Sequence, residues 1–263
     1  MSETSGNPDV EIKVSLSGEA AEAARKSLKL DPDDGNHRTV HFWDRPRRSD
    51  GAGDGVQLPL LDRGAVIRLR AAADGGGGHG DGGDEDDLTA KLRPCDPDTL
   101  PAEFRVSREE DGQEFKIEED WTGRSRVWAA SLKVDGRFDR PAPGRDDRPA
   151  QPRLSREQRA LLACAGAGEE ELDGLTALGP IDSVQWKPSR RDLIHPVTVE
   201  LWSVGDGLSF LELSLRTSPA EASGAQDLLV RTLVDRGFEP PARQESKTRA
   251  AMTALALSLL GDG

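Results

Sequence analysis

The sequence lacks several things, and each absence removes a class of function. Its first residues, Met1-Ser2-Glu3-Thr4, carry neither the basic nor the apolar region of a secretion signal. Nowhere do apolar residues run to a length near twenty, so no membrane span is expected and the cytoplasm is the expected compartment. Cys95 and Cys164 are the only thiols. In that compartment a disulfide between them is not expected, and neither lies beside a histidine in sequence, so both are read as reduced thiols without a catalytic role. His37, His41 and His195 have no metal-ligand spacing, and His79 sits in a polar loop. Positive charge is also short: 35 Lys and Arg against 48 Asp and Glu give a net charge of -13. A chain of that sign is repelled by a nucleic-acid backbone, so any basic site must be local and enclosed.

What is present is a polar chain of 263 residues, 35% apolar and 32% charged, with 28 Gly and 17 Pro gathered in connecting segments. Period-2 alternation marks strands near 9–16, 38–44, 65–72, 87–93, 114–119, 126–134, 183–187, 197–204 and 208–216. Helical periodicity marks 18–29, 155–165, 219–236 and 246–260. The fold class is therefore α+β, with most strands local and antiparallel. The segment 75–87 is a flexible acidic, glycine-rich loop; no Gly-Lys-Ser/Thr follows it, and its charge repels phosphate, so it is no phosphate loop. A second linker over 141–152, rich in Pro, Arg and Asp, divides two halves of a single domain spanning 1–263, since neither half has enough strands to close a sheet.

The strands carry an unusual set of charges. In Asp9-Val10-Glu11-Ile12-Lys13-Val14 the charged residues share one face and the β-branched residues the other. Val66-Ile67-Arg68-Leu69-Arg70 repeats the pattern with guanidiniums about 6.6 Å apart, at about 3.3 Å of rise per residue. That spacing suits two phosphoryl groups of one chain. Thr89, Lys91 and Arg93 form another such rail, as do Glu114, Lys116 and Glu118, and Thr198, Glu200 and Trp202. The last is Phe210, Glu212, Ser214 and Arg216. Any one of these strands could simply face solvent. A closed sheet with charges inside and apolar residues outside, beneath helices, accommodates all of them. Its interior would bind a divalent metal through carboxylates and a polyphosphate through Arg and Lys.

Asp9-Val-Glu11-Ile-Lys13 resembles the E-x-E-x-K signature of the CYTH family, the triphosphate tunnel metalloenzymes, with Asp in the first position. His41-Phe-Trp-Asp44-Arg-Pro46 resembles that family's Y-F-F-D-T-P segment, and Gly64-Ala-Val-Ile-Arg68-Leu-Arg70 its G-x-x-L-R-x-R strand. Leu88-Thr-Ala-Lys91-Leu is similar to its T-x-K-L strand, and Ser246-Lys247-Thr-Arg249 to the S-K-x-R before the last helix. The resemblance implies an eight-stranded antiparallel β tunnel with helices packed outside. It implies Mg²⁺ or Mn²⁺ held by Asp9, Glu11, Glu200 and Glu212. Phosphates would be gripped by Lys13, Arg68, Arg70, Lys91, Arg190 and Lys247, with Lys13 and Glu11 as the catalytic pair. Two positions depart from the family: Ser214 and Trp202 stand where it often has acids. The expected activity is metal-dependent hydrolysis of an inorganic or organic triphosphate. An adenylyl cyclase forming cyclic AMP and pyrophosphate is the alternative, and a module that binds polyphosphate or nucleotide without turnover is another. Lys13→Ala is expected to depress activity more than stability, by relieving repulsion in a cationic cavity. No nucleic-acid or membrane partner is expected, nor, from the single helix before Gly263, an accompanying helical CHAD domain.

Overall fold

In a computed structural model of the chain, the alternation of the first strand decides the architecture. The structure describes residues 9–49, 55–72, 86–110, 112–141, 151–193, 196–205, 207–241, 244 and 246–261. The strands are β1 (Val10–Ser17), β2 (Asn36–Asp44), β3 (Arg47–Arg48), β4 (Val56–Gln57), β5 (Ala65–Ala72), β6 (Asp86–Cys95), β7 (Arg108–Glu110), β8 (Gln113–Thr122), β9 (Ser125–Gly136), β10 (Thr176–Trp186), β11 (Thr198–Val204) and β12 (Leu208–Thr217). The helices are α1 (Glu19–Ser27), α2 (Pro59–Asp62), α3 (Arg156–Ala163), α4 (Glu169–Leu172), α5 (Ala222–Val234) and α6 (Lys247–Gly261).

Nine strands form a ring in the order β1-β12-β11-β10-β2-β5-β6-β9-β8, closed by a β8–β1 pairing, with the short β7 added on β8. The expected count of eight is thus one too low. The closing pair is parallel, Glu11 lying in register with Asp120 and Lys13 with Thr122, whereas the other ring contacts are antiparallel. Closure satisfies backbone groups that an open edge would leave unpaired.

The apolar rails face outwards. Val10, Ile12 and Val14 are buried in a layer shared with Ala21 and Ala24 of α1 and Leu229 and Leu233 of α5. Burial of each large aliphatic chain contributes about 1.5–3 kcal/mol, so this layer fixes which face of β1 turns inwards. Across the barrel, Ile67, Leu69, Ala90 and Leu132 pack with Leu161 and Leu162 of α3. Ser155 caps α3 through a reciprocal pair with Gln158, whose amide is buried and donates to the Leu88 and Leu132 carbonyls. α6 does something else. Its Ala251, Met252 and Ala256 pack on Val40, Phe42, Trp202 and Phe210, residues in phase with the lumen face, so it closes one end of the tunnel.

β10 is twice as long as its expected 183–187. Gly179 and Pro180 interrupt its alternation and form a bulge where the register to β2 shifts between Leu178 and Ile181, a place where a strand tolerates proline. Asp86 and Asp87, assigned by composition to the acidic loop 75–87, are buried residues of β6; the remainder of that loop, most of the 141–152 linker, and His195 lie outside the described residues. No helix among the described residues is long and apolar enough to cross a membrane.

Candidate functional site

The lumen holds a cavity of about 690 Å³. Among the described residues its wall carries eleven lysines and arginines and seven aspartates and glutamates, so a chain of net charge -13 encloses a cationic interior. Enclosure strengthens that field, because low-dielectric walls screen charge less than water does.

Three carboxylate centres organise these cations. The first is Asp120 of β8, fully buried, with Lys13 Nζ at 2.6 Å, Arg93 Nε at 3.1 Å and Lys91 Nζ at 3.5 Å. Glu11 is its neighbour on β1, 2.6 Å from Lys13 and 2.8 Å from Arg216, which also bonds Glu118. Burial pushes the Glu11 carboxyl up, but Lys13, Arg216 and Lys91 outweigh it and hold the group well below the usual carboxylate range. Burial likewise opposes, and Lys13, Lys91 and Arg93 lower, the Asp120 carboxyl. Lys91 is itself held below its ordinary value by burial and by Lys13.

The second centre is Asp87 of β6. Arg70 reaches it at 2.9 Å, while Arg68 and Arg38 stand 3.8 Å away. Burial and Arg70 bring the Arg68 guanidinium down to about 10, against the pull of Asp87, so it remains a charged donor at neutral pH.

The third centre lies beneath α6. Glu200 and Glu212 are directly opposed on β11 and β12, and Lys247 Nζ sits 2.5 Å from one and 3.0 Å from the other. The same ammonium rests 4.0 Å above the Trp202 ring. Ser183 Oγ donates to Glu200 at 2.9 Å and Ser15 Oγ to Glu212 at 3.3 Å. Burial opposes ionisation of Glu200, yet Lys247 and Arg70 bring its pKa down to about 2.

Two resembling motifs have structural explanations. Asp44 accepts hydrogen bonds from the Leu60 and Leu61 backbone N–H groups and so anchors α2 to β2. Gly64, at φ +80°, lets its strand start against β6: a Cβ there would lie 2.9 Å from the Arg93 carbonyl oxygen.

Of the expected site residues, Glu11, Lys13, Arg68, Arg70, Lys91, Glu200, Glu212 and Lys247 all line the one cavity. Two do not. Asp9 lies exposed just before β1 and is not on the cavity wall. Arg190 lies beyond the end of β10 and bonds the Leu28 carbonyl and Asp192, while Lys187 lines the cavity instead. Asp120, Asp87, Arg93 and Arg216 join the site without having been assigned to it; the alternation of Thr89, Lys91 and Arg93, and of Glu212, Ser214 and Arg216, was the available signal for the two arginines.

The expected Mg²⁺ or Mn²⁺ can be tested against this donor set. Among the described residues no group of three or more His, Cys, Asp or Glu is arranged to hold a metal. All seven wall carboxylates are within ion-pair distance of a lysine or arginine. Around Glu11, Glu118 and Asp120 there are four cations for three acids, and the Glu200–Glu212 pair already shares Lys247. A hard divalent ion is held by oxygen ligands with unspent negative charge. The resident residues do not fit one.

No protein-family model matches the chain, and no curated protein sequence matches it. Solved structures do. A candidate adenylate cyclase from Bacillus halodurans superposes with a TM-score of 0.50 at 13% identity, over 93% of this chain and 97% of that one. A candidate adenylyl cyclase from Hippeastrum with a dominant triphosphatase activity gives 0.48 at 15% identity, over 94% and 96%. A protein from Pyrococcus horikoshii gives 0.41 at 15%, over 95% and 99%. At such identities the likeness is one of fold.

Proposed function

We propose that this chain, which has the CYTH-type triphosphate tunnel fold, binds a linear triphosphate inside its barrel and hydrolyses it. The observation that carries this reading is the surplus of fixed cations on the tunnel wall of an acidic protein. Arg68 and Arg70 on β5, beside Lys91 and Arg93 on β6, make a staggered bed of donors on neighbouring strands, which stand about 4.8 Å apart. Lys13 and Arg216 face the lumen from β1 and β12. An extended anion lying along this bed meets a donor at each phosphoryl group.

In the hydrolysis, a water oxygen bonds the terminal phosphorus as the bond to the bridging oxygen breaks. The diphosphate leaves with the electron pair, and a proton of the attacking water passes to bulk solvent. The chain's part is to hold the anion straight and to neutralise charge on the leaving and transferred groups with lysine and arginine donors fixed beforehand. A second reading, binding without turnover, is supported by the engagement of every wall carboxylate in an ion pair, which leaves none of them free to activate water.

The deciding experiment incubates the purified chain with tripolyphosphate, thiamine triphosphate and nucleoside triphosphates, with and without Mg²⁺ or Mn²⁺. Orthophosphate release is the expected result. Cyclic AMP and pyrophosphate without orthophosphate would replace hydrolysis by cyclisation, and calorimetric binding without product would leave the binding module. Neither product nor binding would overturn the proposal.

A further inference from the structure

The cluster under α6 answers a question that the proposed function leaves open, in what form the anion is taken, and the answer rests on that proposal. Two carboxylates directly opposite each other on one sheet face repel. Here the repulsion is relieved from within the chain. Lys247, with a side chain only 6% exposed, places its ammonium between Glu200 and Glu212 and over the Trp202 ring. The indole adds cation–π attraction to two charge-assisted hydrogen bonds. It stands where a further acid was expected, so it supplies no oxygen ligand and favours a monovalent organic cation. The Glu11–Asp120 pair is treated alike by Lys13. Each pair of acids able to share a metal therefore holds a lysine.

We infer that the tunnel takes its polyphosphate as the free anion, with Lys247 as the built-in counter-ion of Glu200 and Glu212 in place of a divalent metal. A metal entering there would have to displace a buried ammonium from three partners. The phosphate, by contrast, expels no ion: Arg68, Arg70 and Lys91 carry more N–H donors than their carboxylate partners Asp87 and Asp120 occupy. Magnesium in excess then acts against binding, since it neutralises the free anion before the tunnel can.

Calorimetric titration with tripolyphosphate, once in EDTA and once in excess Mg²⁺, tests this. Binding in EDTA that weakens in Mg²⁺ is expected. Binding only in Mg²⁺ overturns the inference and leaves the proposed function standing; binding in neither overturns both. Glu212→Gln separates the two electrostatic pictures. As a counter-charge, Glu212 competes with the phosphate for Lys247, so its neutral amide should tighten binding in EDTA, by about tenfold for one charge removed at close range. As a metal ligand it could only weaken binding when lost, and that result would overturn the inference. Glu200→Gln, checked by thermal melting, repeats the measurement should Glu212→Gln fail to fold.

Discussion

The Lys13 ammonium lies 2.6 Å from the carboxylate of Asp120, a residue with no solvent exposure. This pairing reverses one expectation, that removing Lys13 would relieve repulsion. Breaking a buried ion pair from one side costs about 3–5 kcal/mol. Lys13→Ala should lose stability on the order of 3 kcal/mol as well as triphosphate affinity, with Asp120→Asn losing more, because it leaves Lys13, Lys91 and Arg93 without their shared counter-charge. Urea denaturation of the two variants measures the difference; a Lys13→Ala protein as stable as wild type would contradict the geometry.

Acid should unfold the protein in a defined window. Glu200 is held at about 2, and Glu11, Asp87 and Asp120 are lowered as well. A depressed carboxyl stabilises the fold above its unfolded value near 4 and loses that contribution as pH falls through the folded one. Stability should therefore drop from about pH 4.5 towards pH 2, with Glu200 alone accounting for roughly 3 kcal/mol at 1.36 kcal/mol per unit. Equilibrium denaturation of Glu200→Gln should show a flatter acid limb.

Alkali should weaken binding before it weakens the fold. Lys91, held below its ordinary value by burial and by Lys13, is the cation most easily discharged. A bound phosphate favours its protonated form, so a proton is taken up on binding and affinity falls as pH rises through the value of the free protein. Calorimetry in buffers of different ionisation enthalpy, run towards pH 10, should detect this uptake. Loss of Lys91 from the site, in Lys91→Met, should diminish it.

Arg70→Ala should lower triphosphate affinity about tenfold, the loss of one charge-assisted bond, and Arg190→Ala should leave it unchanged, since Arg190 bonds Leu28 and Asp192 outside the cavity. Equal losses from the two variants would place Arg190 in the site after all.

Gly64→Ala should damage binding without touching a donor. Its Cβ would press on the Arg93 carbonyl, so β5 and β6 must part where Arg68 and Lys91 are aimed. A lowered melting temperature together with weakened tripolyphosphate binding is the expected pair of changes.

The rails of β1, β5 and β6 were legible because apolar and charged residues alternate there without interruption, and the buried layers hold them to that phase. Asp120 was not legible. Glu118-Glu119-Asp120 is an unbroken acidic run, and Glu119 points the other way, accepting from the Trp121 indole, so composition hides which acids turn inwards. Asp87 was concealed for a related reason, being continuous in sequence with an acidic loop. Asp9 fails by a single position, one residue before pairing begins at Val10, and Arg190 because β10 ends at Trp186. That Lys247 would reach inwards could be suggested by its motif; that it would sit between Glu200 and Glu212 depends on a tertiary crossing no local pattern encodes.

The placement of β1 between β8 and β12 also sets the order in which the molecule can be assembled. Its two flanking partners lie more than a hundred and about two hundred residues away along the chain, so the ring's earliest strand in chain order is among the last to find both neighbours. Chains rich in such distant pairings fold slowly. Until Leu208–Thr217 has been made, β1 has one free edge and Lys13 no enclosure; the ring of strands closes only when β1 meets β12.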